Sequence, residues 1–547
     1  MLGYGLAHAR RAGRSTAEFF VAGRSLPWWL AGTSIVATTF AADTPLAIAG
    51  LVATDGIAGN WFWWADVLPT MLGAFLVAHL WQRSGVLTDP ELIEIRYGGW
   101  PATALRVFRV LYFGVLRNAI VLGWVNLAMW KVLQLALGLG PQESGWLLGG
   151  LFAIAVVYTL ASGLWGVVMT DVGQFVLAML ASILLAVFAL DAAGGMDALL
   201  ATLRSRVGVE SASDVLALIP TEGEAFWAFV VYVAVKSWAS GNTEGSGYMA
   251  QRLLATRSER DARLAAIWYG IAHFALRPWP WIVVGLVALV RYPGLEDPEA
   301  GYVRVMLDDL PAGLRGAMLA AMFAAFLSTV DTHLNWGASY LTNDLYHRFL
   351  RPAADERALV RVARASVVLL GAIGALTTLL LPSIAGAWKF LAQISAGTGA
   401  ILLLRWLWWR VNAWSEIAVM AASLACSAVI LGATDIAFPF SLALVVALAL
   451  PFSLAVTFAT RPERPEQLRR FYEQVRPSGW WGPVARDAGL EPRRIGAGPW
   501  LRVGAASFGI YALLLGTGAL LLGSPGPALL ALLAGLVLLG AAVFRSA

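Results

Sequence analysis

What most constrains this 547-residue chain is a recurring run of mainly apolar residues, each run about as long as a bilayer is thick. Windows of about 20 such residues recur roughly fourteen times. They lie near 26–51, 61–81, 105–137, 146–162, 164–190, 225–240, 264–290, 314–346, 359–381 and 386–409, with four more to the C-terminus at 413–431, 437–458, 503–522 and 528–544. In hydrocarbon every backbone polar group must find its partner inside the protein, so spans of this kind are helices. With 59% hydrophobic and 13% charged residues, the chain is predicted to be an all-α polytopic membrane protein. An even number of spans puts both termini on one side.

Charge orients the stack. Arginines gather in alternate loops (Arg10, Arg11 and Arg14; Arg83, Arg96 and Arg106; Arg252, Arg257, Arg260 and Arg263; Arg348 to Arg361; Arg461 to Arg494), and these loops are expected to be cytoplasmic. The predicted location is the plasma (inner) membrane. The net charge of +5 follows from these loops, and no basic patch implies nucleic-acid binding. A single cysteine, Cys426, excludes a disulfide framework. The predicted organisation is a cytoplasmic N-terminal segment (1–25), a transporter core (26–410), accessory spans (411–459), a cytoplasmic segment (460–502) and C-terminal spans (503–547). The aromatic–basic stretch in 460–502 reads as a headgroup-lying segment or as a short tethering linker.

Within the eighth window, residues 321–346 carry too many polar groups to face lipid. Ala325, Ser328, Thr329, Thr332, Asn335 and Ser339 share one helical stripe, with Asp331 and His333 at its margins. Interhelical hydrogen bonding explains serine and threonine in such a stripe. An intramembrane carboxylate points instead to an ion or substrate pathway.

Two other windows contain breakers. Pro45, beside Asp43 and Thr44, cannot donate to the Ala41 carbonyl, so the first span is expected to open there. The sixth carries Gly241, Gly245 and Gly247 around Asn242, Thr243 and Glu244. Interrupted helices opening two five-helix halves are the pointer to an inverted-repeat transporter whose site lies between the halves.

FFVAGRSLPWWLAGTSIVAT (19–38), GLWGVVMTDVGQF (163–175), QRLLATRS (251–258) and FLSTVDTHLNWGASYLTNDLY (326–346) together resemble the sodium/solute symporter family, which includes the sodium-coupled sugar, proline and sialic acid transporters. The resemblance covers about 15–410. It implies a LeuT-type five-plus-five inverted repeat, here halves 26–192 and 223–410, followed by additional C-terminal helices. It also implies symport of a small-molecule solute with Na+ as coupling ion and no other cofactor. Many relatives have a further helix before the first core helix; Met1 lies too close to Arg10 for one, so it is absent or the true start is upstream. Oligomeric state is left open.

By the same resemblance, the principal Na+ site would use the carbonyls of Ala37, Phe40 and Ala325 and the hydroxyls of Ser328 and Thr329. It contains no carboxylate and should bind weakly. A second site would use Asp171 and Thr332. Asp331 departs from the family, whose members usually have a small residue there, and two nearby carboxylates repel unless a cation or proton lies between them. The second site is therefore expected to take Na+ or a proton.

Substrate contacts are expected from Asp43, Thr44, Trp64, Glu244, His273 and Arg277. The last two lie in AHFALRPWPWIVV near mid-membrane. Arg277 cannot lose its charge, so it is either paired structurally with Asp43, Glu244 or Asp331, or it clamps an anionic solute. With a structural Arg277, a Na+/sugar symporter is the alternative. From other classes, the alternatives are a membrane-embedded enzyme using Asp43, Asp331 and His333 and a sodium-dependent sensor. No G-x-S-x-G or Walker A motif supports the enzyme.

Overall fold

The computed structural model describes residues 15–207, 209–241 and 243–544. Arg10, Arg11 and Arg14 of the N-terminal segment, Asn242 of the sixth window and the last three residues lie outside the described residues. Among those described the fold is all-helical. Its only strand-like pairings are two isolated bridges, Leu26 with Thr256 and Trp408 with Trp480.

The elements used below are, in chain order, α1 (Trp28–Thr38), α2 (Asp43–Asp55), α3 (Pro141–Ala192), α4 (Gly223–Ala239), α5 (Tyr248–Leu254), α6 (Glu259–Ile271) and α7 (Pro278–Arg291). They continue with α8 (Ala312–Ser339), α9 (Ile384–Ile394), α10 (Thr398–Leu407), α11 (Pro465–Val475) and α12 (Gly482–Asp487). The polar-striped α8 packs along α3, while α6 packs along α1 and α7 along α2. Both arms of the first span are thus held by the arms of the seventh.

The first span breaks where Pro45 predicts: α1 and α2 are bent by 58° across the gap between them. Without an N–H on residue 45, the Ala41 carbonyl is left a long 3.3 Å bond from Thr44. The sixth span also opens, leaving helix at Ser240 and resuming at α5, with Gly245 and Gly247 at φ of +69° and +74°. A third break was not read from the sequence. Between α9 and α10 the chain bends by 46°, with Gly397 at φ +79°. Two residues on, a Cβ at Gly399 would stand 1.8 Å from the Ser240 carbonyl oxygen, so only glycine lets the two interrupted spans touch.

Among the described residues eleven helices are long and apolar enough to cross a membrane, or thirteen spans with each bent pair counted once. About fourteen were expected from hydropathy. The difference is the sixth window, whose longest unbroken helix, α4, has only 17 residues because the chain unwinds after it.

The 460–502 segment is not the free linker or headgroup-lying stretch that its composition suggests. Leu468, Phe471, Tyr472 and Val475, spaced on one face of α11, are buried together with Trp481 at the start of α12. Gln474 Nε2 donates to the Ser84 carbonyl (2.7 Å), Trp481 Nε1 to the Trp406 carbonyl (2.8 Å), and the Arg96 guanidinium lies 4.7 Å over the Trp481 ring. The aromatic face turns inward because protein already offers it an apolar and cationic surface.

Candidate functional site

The three breaks converge on one cavity of about 250 Å³. Thr38, Thr39, Asp43 and Thr44 line it from the first break, Ser240, Gly241, Gly247 and Tyr248 from the sixth span, and Ser395 and Ala396 from the third break. Where a helix ends inside the bilayer its last carbonyls and first amides lack helical partners, so the cavity wall is polar at these places.

His273 and Arg277 enter from the stretch between α6 and α7, where five residues, Ala272–Leu276, widen into a π-helical turn. Arg277 Nη1 donates to the Val36 carbonyl (3.2 Å) and to Thr39 Oγ1 (3.1 Å), and Nη2 lies 3.3 Å from His273 Nε2. A guanidinium only donates, so Nε2 is the acceptor and His273 carries its proton on Nδ1. That proton meets Thr39 Oγ1 at 3.0 Å, and the Thr39 hydroxyl in turn donates to the Val36 carbonyl (2.8 Å). The chain of donors is closed and fixes both side chains at the end of α1. Among the described residues Arg277 makes no ion pair with Asp43, Glu244, Asp331 or any other carboxylate, and its Nε has no partner.

Two expected substrate residues are elsewhere. Glu244 does not line the cavity: it is buried against Arg405 (2.9 Å), Arg109 (3.5 Å) and Trp406 Nε1 (2.9 Å), in a cluster that also holds Glu416. The unwinding after Ser240 swings it towards these arginines. Trp64 is fully buried, edge-on to Trp61 and Trp63; its neighbour Trp63 lines the cavity instead, edge-on to His273 at 5.4 Å. Adjacent residues of a helix face different ways, and the sequence did not say which of the tryptophans turns inward. Arg117, Lys236 and Trp388 also line the cavity without having been anticipated.

The polar stripe of α8 meets the end of α1. Thr329 Oγ1 donates to the Thr38 carbonyl (2.9 Å) and lies 3.3 Å from the Ala325 carbonyl, and Thr38 Oγ1 is 3.1 Å from Thr332 Oγ1. The Ala37 carbonyl accepts from the Phe40 amide at 2.9 Å, so the chain between them is a turn, and its Thr38 carbonyl is the one that meets α8. A hard cation needs several such oxygens.

Ser328 faces the other way. It donates to Asp171 Oδ1 at 2.6 Å, and Ser34 donates to Oδ2 at 2.5 Å. Arg252, expected in a cytoplasmic loop, is instead fully buried on α5 beside this group: Nε reaches Ser34 Oγ (3.2 Å) and Nη2 reaches Thr332 Oγ1 (2.7 Å). Asp331 is fully buried and neither of its carboxylate oxygens has a hydrogen-bond partner.

The model of the sodium:solute symporter family matches residues 19–422. The chain belongs to the sodium:solute symporter family. The symporter is 25% identical over 443 residues to a sodium/glucose cotransporter of Vibrio parahaemolyticus, covering 75% of this chain and 78% of that one. It is 24% identical over 407 residues to sodium/glucose cotransporter 4 of Danio rerio, covering 68% of this chain and 60% of that longer relative. In fold it resembles a substrate-bound, outward-open Na+-coupled sialic acid symporter, with a TM-score of 0.69 at 19% identity over 85% of this chain and 96% of the other. The symporter is therefore an integral membrane transporter with the LeuT-type fold that its motifs imply.

Proposed function

We propose that this symporter couples Na+ to the uptake of a small organic solute bearing a carboxylate, by alternating access around the central cavity. The observation that carries the carboxylate is Arg277. A guanidinium near mid-membrane costs at least about 2.5 kcal/mol on insertion scales, so something anionic should offset it. The three acids named as structural partners do not reach it. Its Nη1 is taken up by Val36 and Thr39, so the N–H groups left for a carboxylate are Nε, which has no partner among the described residues, and the second hydrogen of Nη2. Arg277→Lys keeps the charge but loses the fork, and should weaken binding of the anionic solute by about tenfold. Na+-driven uptake into proteoliposomes measures this. Saturable uptake of an uncharged hexose, unchanged by the substitution, favours the second reading, a sugar symporter with a structural arginine, for which the glucose-cotransporter relatives speak.

Na+ would bind where the carbonyls of Ala37 and Phe40 meet Ala325 and Thr329, with Ser328 rotating towards it from Asp171. An ion held between α1 and α8 ties together two elements that must separate for the site to change access, so it shifts the population towards the state in which they touch.

A second cation, Na+ or a proton, is proposed at Asp171, Asp331 and Thr332. Asp171 and Asp331 are both buried with the Arg252 guanidinium as their nearby cation, so a second negative charge there would need a cation or a proton to balance it. Asp331→Ser removes that charge. It should lower the Hill coefficient for Na+ or flatten the pH profile of uptake; a variant with both unchanged would place Asp331 outside the coupling machinery.

A further inference from the structure

We propose that the solute is a zwitterion, an amino acid or related amino-carboxylate whose ammonium group is received by Asp43 while Arg277 takes its carboxylate. This rests on the reading of Arg277 given above and adds the second half of the site.

Asp43 opens α2 at the first break and lines the cavity that Arg277 lines. It is only 3% exposed, and its Oδ1 is buried without a hydrogen-bond partner. Trp388 lines the same cavity. Among the described residues Asp43 has no ion-pair partner, and it does not reach Arg277. Two buried opposite charges therefore share one cavity without touching. A structural pair would close on itself, since each charge left unpaired in a low-dielectric interior is costly. Here the gap between them is the space a solute occupies, and a solute carrying both charges compensates both at once.

The other charges facing the cavity point the same way. Lys236 is already paired with Asp66 at 3.4 Å, and Glu299, the next acid near Asp43, is held by Lys131 at 2.6 Å. Arg117 also lines the wall, with its guanidinium 5.7 Å over the Phe113 ring. A dicarboxylate would suit two arginines, but it would bring a second negative charge into a cavity that contains Asp43.

The cavity that Asp43 lines also carries aromatic rings, which suit an organic cation better than Na+. The Trp388 ring stacks on Phe62 at 6.2 Å and 10°, and Trp124 meets it edge-on at 6.4 Å; all three line the cavity. An alkali ion needs a cage of oxygens. An ammonium group, more so when alkylated, is held by one carboxylate and the faces of aromatic rings.

The test uses the full-length protein in detergent, with ligand binding read by thermal shift in Na+ and in K+. The probes are the common amino acids, γ-aminobutyrate and glycine betaine, with butyrate and succinate as carboxylates lacking the ammonium and butylamine lacking the carboxylate. At least one zwitterion should stabilise the protein in Na+ only, and its des-amino analogue should bind tenfold or more weakly. Asp43→Asn should erase that difference by weakening the zwitterion while leaving the des-amino analogue in place. Should the asparagine variant not fold, Asp43→Glu keeps the charge and must keep the preference for the zwitterion. Equal binding of des-amino carboxylates by the unaltered protein, or a preference for succinate, overturns the ammonium site and leaves the carboxylate reading standing. Stabilisation by hexoses alone overturns both. An Asp43→Asn variant with a lower Hill coefficient for Na+ and an unaltered solute preference makes Asp43 an ion ligand, and the inference fails.

Discussion

Replacing Ser328 and Thr329 together by alanine is expected to abolish Na+-driven uptake. Thr329 bridges the end of α1 and the body of α8, donating to the Thr38 carbonyl at 2.9 Å beside the Ala325 carbonyl. Ser328, one residue away, holds Asp171 at 2.6 Å. The double substitution removes two oxygens from a site with no carboxylate of its own, where each oxygen is a large share of the coordination. It also leaves a buried acceptor on Asp171 unmet, at about 1–3 kcal/mol. The measurement is uptake into proteoliposomes against Na+ concentration, with K+ as the control ion. Normal uptake with unchanged Na+ dependence in the double variant would show that the principal site lies elsewhere.

The second large effect is on stability. Glu244 sits in a buried cluster with Arg405, Arg109 and Glu416, and Tyr97 donates to Glu416 at 2.7 Å. Glu244→Ala leaves two buried guanidinium groups with Glu416 and, at 3.8 Å from Arg109, Asp89, and the loss of one partner of a buried pair costs about 3–5 kcal/mol. A marked drop in melting temperature in detergent is expected, with solute affinity of the surviving folded protein unaltered. A tenfold rise in KM without a fall in stability would instead return Glu244 to the solute site. The partial rescue expected from Glu244→Gln, which still accepts from Trp406 but carries no charge, separates the hydrogen-bonding share from the ionic one.

Much of this protein was written in local chemistry. The apolar windows and the absence of any alternative to helix in hydrocarbon determined the fold class. Pro45 determined the first break, because a missing N–H acts on a carbonyl four residues away. The glycines after Ser240 determined the second, and the stripe of small oxygens on α8 is a property of helical periodicity alone.

Tertiary structure decided which of the costly residues share a space. Glu244, Arg277 and Asp43 look alike in sequence, each an intramembrane charge beside a breaker. Only the packing of α10 against the opened sixth span, through the close approach at Gly399, gives Glu244 the Arg405 partner that removes it from the solute site. Arg252 could not be connected to Ser34 and Thr332, 218 and 80 residues away, until α1, α5 and α8 were brought together. The same holds for the aromatic face of α11, which reads as membrane-seeking until Arg96 and Trp406 are placed beneath it. The period of a helix and the reach of a proline are set within a few residues, whereas the pairing of buried charges is set by which helices meet.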